Sequence, residues 1–181
     1  MTWRRALTYW ASFLVLGTFY LLVLRESAGP TPAHLTRAAF LNLNESDIER
    51  MELRRGTEVI RCRRVEGRWQ VVEPAGGAVP SDLVAALVSN LTQLPDVEVV
   101  DEGGAELAQF GLDPPVSQIT LTRTGGHPIS VRFGGRNPAG TAIYAQHGDD
   151  RRVYLIGLNV RYYEDLVFQA APARPRGGAQ E

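Results

Sequence analysis

The chain has no lysine, one cysteine (Cys62) and three histidines in 181 residues. Without lysine there is no Schiff-base amine and no P-loop, and all 19 basic residues are arginines whose charge is effectively permanent. A lone cysteine has no partner in the chain for a disulfide, a C-x-x-C redox pair or a thiolate zinc site, so Cys62 reads as a small core hydrophobe. Charge of one sign is missing too: 19 basic against 20 acidic residues leave a net −1, which gives no global attraction to nucleic acid. With 44% hydrophobic and 22% charged residues the composition is that of a globular protein, which excludes wholesale disorder and collagen-like classes. The length allows one domain of ordinary size plus an appendage.

What is present first is a stretch without charge, residues 6–24 (ALTYWASFLVLGTFYLLVL). As a helix rising about 1.5 Å per residue it spans about 28 Å, the thickness of a bilayer's hydrocarbon core. Arg4 and Arg5 precede it, while Arg25 and Glu26 behind it cancel, so the positive-inside bias places residues 1–5 in the cytoplasm and everything after the span outside it. Trp3, Tyr9 and Trp10 cluster at one boundary and Tyr20 nears the other, where amphipathic rings settle. A cleaved signal peptide has a shorter apolar stretch, and the nearest small-x-small site, Ser27-Ala28-Gly29, sits between charged Arg25-Glu26 and Pro30. A buried core helix would carry a polar stripe, which Ser12, Gly17 and Thr18 do not make. A membrane anchor is therefore expected, with Gly17-Thr18 a candidate close-packing spot on it.

Residues 25–42, with Pro30 and Pro32, read as a linker, residues 43–168 as the exported domain, and residues 169–181 as a disordered tail. In the domain, 48–53 and 58–65 flank Arg55-Gly56-Thr57 as a hairpin, and Glu66-Gly67 turns into a third strand at 68–72. Ser81 and Asp82 offer an N-cap and a first-turn acid for a helix to about Leu94, whose Leu83, Val84, Leu87, Val88, Leu91 and Leu94 share one face. A short strand at 97–100 and a helical turn at 105–110 follow. Strands at 118–123, 128–133, 142–146 and 152–156 form two more hairpins, and a helix is expected over 158–168. Turns this short exclude parallel crossovers, so the fold class is α+β with a mainly antiparallel sheet. The order of strands and helix recurs, as two diverged copies of one unit would leave it, and as unrelated hairpin-plus-helix units would too.

The candidate chemistry is sparse. His34, His127 and His147 have no ligand spacing, which argues against a metal site, and His127 and His147 fall beside turns as solvent-facing residues. No G-x-S-x-G setting supports a hydrolase, which would need Ser130 with His127 or His147. The pairs Asp96/Glu98 and Asp101/Glu102 read as solvated charge rather than catalytic carboxylates. Gly134-Gly135-Arg136-Asn137-Pro138-Ala139-Gly140 lacks P-loop spacing and reads as a wide inter-strand loop rather than an anion nest. No cofactor is expected. Arg54, Arg55, Arg61, Arg63, Arg64 and Arg68 put six bases within fifteen positions, a candidate interaction face. Asp96, Glu98, Asp101, Glu102 and Glu106 put five acids within eleven, and are the expected partners that would neutralise it.

Gln109-Phe110-Gly111-Leu112-Asp113-Pro114-Pro115 ends a helical turn on a glycine suited to a left-handed cap and leaves through two prolines in an extended path. With Trp69 and Pro74, the Ser81-Asp82 helix start, Phe133-Gly134, Ile143-Tyr144 and Val153-Tyr154-Leu155-Ile156, this stretch resembles the domain-of-unknown-function family numbered 4340, over about residues 43–168. The resemblance implies an N-terminal membrane helix and, for some members, association with ABC-type export components of the gliding-motility kind. It brings no catalytic residue. The expectation is a non-enzymatic, single-pass protein of the cytoplasmic membrane whose extracytoplasmic domain contacts another membrane or envelope protein, with no nucleic-acid role. A scaffold of secretion or division machinery is the alternative, and an envelope hydrolase a third.

Overall fold

Apolar and charged residues alternate along 48–55 and 58–65, and the structure pairs these runs as a hairpin that buries Met51, Leu53, Ile60 and Cys62 on one side. The computed structural model describes residues 3, 10, 13, 16–18, 37–38, 40–41, 43–94 and 97–171. It divides into two units, Met1–Leu35 and Thr36–Glu181. In the first, residues 3, 10, 13 and 16–18 are helical, Trp3, Trp10, Phe13 and Leu16 are exposed, and Trp10 meets Phe13 edge-on at 6.3 Å. Among the described residues no helix is long and apolar enough to cross a membrane; most of the 6–24 stretch lies outside them, as do the prolines of the linker and residues 172–181 of the 169–181 tail.

The described residues of the second unit form nine strands: β1 (Arg37–Ala38), β2 (Ile48–Arg55), β3 (Glu58–Val65), β4 (Arg68–Glu73), β5 (Val97–Asp101), β6 (Ser117–Arg123), β7 (Pro128–Arg136), β8 (Ala142–His147) and β9 (Val153–Gly157). Its α-helices are α1 (Ser81–Thr92) and α2 (Asn159–Ala170). All strands belong to one sheet, ordered β1-β5-β9-β8-β7-β6-β2-β3-β4, and every pairing between them is antiparallel. The two hairpin groups are thus halves of one surface, joined where β2 lies along β6 with Leu53 opposite Ile119.

The helices touch each other and cover one face. Val84, Leu87, Val88 and Leu91 of α1 and Val160 and Val167 of α2 join Met51, Leu53, Ile119, Leu121, Val131, Phe133 and Tyr154 in a single core. Two expectations change here. Ser81 does not cap α1: Pro80 holds the cap position, and the Ser81 hydroxyl accepts the Trp69 N–H at 2.9 Å, tying the helix start to edge strand β4. Residues 36–42 are not all linker either, because β1 pairs with β5 and Phe40 and Leu41 are buried in the core. Apolar side chains that close beneath a sheet belong to it whatever the prolines before them imply.

Cys62 is buried among these residues, and burial pushes its thiol up to about 12. Maleimide should therefore label the folded full-length protein hardly at all and label it fully in denaturant. Fast labelling of the folded protein would mean that β3 opens.

Candidate interaction surface

Side chains alternate across a strand, so the register that points Met51, Leu53 and Ile60 at the helices points Arg50, Glu52, Arg54, Arg61 and Arg63 at the other face. Neither α1 nor α2 covers that face. Glu52 is the hub of its charged ladder: Arg61 donates to it through Nε at 2.8 Å and Arg54 through Nη2 at 3.0 Å, and these hydrogen bonds hold the Glu52 carboxyl below its ordinary value. Arg61 also donates from Nη1 to Glu73.

The six arginines singled out from sequence do not form one face. Arg55 points to the helix side, where it donates to Asp165 at 2.6 Å, lies 3.2 Å from Glu164 and covers the Phe168 ring at 4.5 Å. Arg64 donates to the Glu45 carbonyl at 3.0 Å. Arg54 and Arg61 share Glu52. Arg63 and Arg68 are exposed and make no ion pair or hydrogen bond with the described residues. Arg50, which sequence reasoning passed over, stands directly opposite Arg63 in the β2–β3 register and is also exposed and unpaired among the described residues. Only the register could have found it. Two arginines at one register position, neither ion-paired among the described residues, leave positive charge unbalanced on this face of the hairpin.

The acidic stretch does not neutralise it. β5 stands five strand positions from β2, which at about 4.8 Å per strand is roughly 24 Å. The actual counter-charges, Glu52, Glu73, Glu164 and Asp165, come from the hairpin group itself and from α2. Within the acidic stretch Asp101 organises the backbone that follows it. Its Oδ1 accepts the N–H groups of Gly103, Gly104 and Ala105 at 2.7, 2.9 and 3.2 Å, and these bonds hold its carboxyl below the ordinary range. Asp96 lies outside the described residues.

The glycine-rich stretch is not a wide loop. Gly134-Gly135-Arg136 ends β7, and Asn137 alone organises the turn by accepting the Thr141 and Ala142 N–H groups at 2.9 and 3.1 Å. The double glycine is a crossing point. A Cβ on Gly134 would lie 2.1 Å from the Phe110 carbonyl oxygen, and one on Gly111 2.9 Å from the Gly135 nitrogen. Here Gly111 takes the expected left-handed cap, with φ 67°, and its N–H bonds the Ala108 carbonyl. Beyond it the chain is not extended as expected: the Asp113–Pro114 peptide is cis and Leu112 bridges Pro115. Residues 107–115 thereby cross the helix-free face over β7 and β8, burying Leu112 and setting Phe110 edge-on to Tyr144 at 4.9 Å.

His127 is exposed in the β6–β7 turn, as expected, but His147 is not solvent-facing. It pairs with Val131 and shares its helix-covered side, packed edge-on to Phe40 at 5.1 Å and stacked on Tyr154 at 5.3 Å, and burial holds its pKa below the ordinary value. Tyr154 donates to Asp150 at 2.6 Å, and Arg152 holds that carboxyl well below the usual range. Ser130 faces the other side of the sheet, in contact with Thr120 at 3.0 Å. Strand alternation separates the two side chains by the sheet itself. His34 lies outside the described residues.

Residues 69–168 match the family described as Domain of unknown function (DUF4340), beginning at Trp69 rather than near Leu43. No curated protein and no solved structure matches the chain.

Proposed function

The chain belongs to the DUF4340 family, and from that premise we propose that it is a non-enzymatic, membrane-anchored envelope protein whose exported domain docks another membrane or envelope protein on its helix-free sheet face. The uncharged 6–24 stretch supports the anchor, as do the exposed side chains of Trp3, Trp10, Phe13 and Leu16, which suit a lipid environment better than water. The observation that carries the docking role is the Arg50–Arg63 pair, permanently charged, at one register position and without an ion-pair partner among the described residues. An acidic partner surface is what such a pair recognises through charge-assisted hydrogen bonds. A subunit of an ABC-type export system is the partner the family resemblance implies.

Affinity capture of the full-length protein from detergent-solubilised membranes, wild type against Arg50→Glu/Arg63→Glu, tests the reading. The charge reversal should cut partner recovery about tenfold at low salt, the equivalent of about 1.4 kcal/mol, with a smaller difference at high salt. Full retention of every partner at both salt concentrations would sink the docking role, and a reporter fused behind Phe168 that is active only in the cytosol would sink the anchor. Transport subunits among the captured proteins support the export reading; secretion or division proteins favour the scaffold.

A further inference from the structure

Towards the β8–β9 end of the helix-free face lies a cleft of about 360 Å³, walled by Gly103, Ala105 and Leu107 on one side and by the 148–151 turn on the other. Its floor holds Arg132 and Gln146, which are register partners on β7 and β8. Gln146 is only 5% exposed, yet its amide makes no hydrogen bond with any described residue. Arg132, half-buried beside it, likewise has no ion pair or hydrogen bond among the described residues. Both polar ends open into the cleft with no described protein group to bind, so they are free to meet a ligand that takes the place of water. Several nearby groups are already committed: Asp101 takes the Gly103 N–H, the Gly148 N–H goes to the Ser130 carbonyl, and Arg152 and Tyr154 occupy Asp150, while Asp149 and Arg151 stand at the rim.

We infer that this cleft binds a small monocarboxylate, with the Arg132 guanidinium fork on the two oxygens and the Gln146 NH₂ donating to one of them. Directly paired antiparallel residues place their Cβ atoms about 5 Å apart, so both donors reach one planar oxyanion. The guanidinium fork matches carboxylate geometry. At the rim Asp149 and Arg151 offset each other and Asp150 is taken by Arg152, which leaves the single charge of Arg132 to match a singly charged anion rather than phosphate, and the volume, at the low end for ligand pockets, suits a molecule of amino-acid size. This site stands apart from the Arg50–Arg63 pair and holds whatever docks there. The carboxylate comes either from a free acid or from the C-terminal residue of a peptide.

The test uses the full-length protein in detergent micelles, titrated with acetate, with a tri-alanine peptide bearing a free C-terminus, and with the same peptide amidated. The readout is the Gln146 side-chain amide signal in a ¹H–¹⁵N spectrum. Acetate and the free peptide should shift it saturably and the amidated peptide should not; tighter binding of the free peptide identifies a chain terminus, and equal binding a free acid. Arg132→Gln should weaken binding about tenfold or more, as expected for loss of a charged hydrogen-bond donor. Arg132 has no described partner to lose, so the variant should keep its thermal melt. Gln146→Glu, which sets a carboxylate in the site and is followed through the Arg132 Nε–H signal instead, should abolish binding independently. No saturable shift with either carboxylate, unchanged affinity in Arg132→Gln, or equal binding of inorganic phosphate overturns the proposal.

Discussion

Glu164→Ala should cost the domain about 3 kcal/mol, the usual result of removing one partner from a buried ion pair. The Glu164 side chain is fully buried, with Arg161 at 2.9 Å and Arg55 at 3.2 Å. Arg161 is itself only 13% exposed, and burial pulls its pKa below the ordinary value. Its remaining partners, the Ser117 hydroxyl at 2.9 Å and the Gly134 carbonyl at 3.2 Å, are neutral. Without the carboxylate the guanidinium keeps its desolvation cost and loses its compensation, whereas Arg55 retains Asp165. For a urea dependence near 2 kcal/mol per molar, the midpoint should fall by about 1.5 M. Replacing the pair together, Arg161→Met with Glu164→Leu, should cost less than Glu164→Ala alone, because no charge is then stranded. A midpoint shift below about 0.3 M for Glu164→Ala would mean that the cluster does not fasten α2 to the sheet.

Gly134→Ala should cost about 2 to 3 kcal/mol through overpacking against backbone. The added methyl would stand 2.1 Å from the Phe110 carbonyl oxygen and 3.1 Å from Leu112 Cγ, so the 107–115 crossing must lift from β7. Gly157→Ala is the control, since a Cβ there meets nothing within 4 Å, and it should change stability by less than about 0.5 kcal/mol. Hydrogen exchange separates this effect from global unfolding: in Gly134→Ala, amides of residues 107–115 should exchange faster than those of β2 and β6. Equal urea midpoints for the two alanine variants would remove the crossing from the account of stability.

Most of the secondary structure was legible because its cues are local. Alternation in 48–65, the spacing of Leu83, Val84, Leu87, Val88 and Leu91, and Gly111 as a cap need no knowledge of the rest of the chain. What escaped depends on register or on distant neighbours. A two-residue strand at Arg37–Ala38 has no periodicity to read. His147 looks like a turn residue until pairing with Val131 sets its side of the sheet. Arg55 and Arg54 are adjacent in sequence but face opposite sides, so a count of arginines along the chain merges a surface charge with a core clamp. Neither Arg50 nor Gln146 stands out in the sequence, because what marks each is the lack of a partner among the described residues.

The β2–β6 junction bears on how the molecule comes to exist. Residue 53 must wait for residue 119 before its strand is flanked on both sides. During synthesis the β2–β3–β4 meander therefore emerges first with one raw border along β2, and strand borders left open in this way recruit copies of themselves. Alternating Glu52 and Arg54 with Met51 and Leu53 leaves charges along that border, the gatekeeping that discourages such self-recruitment while the second half of the sheet is still being made.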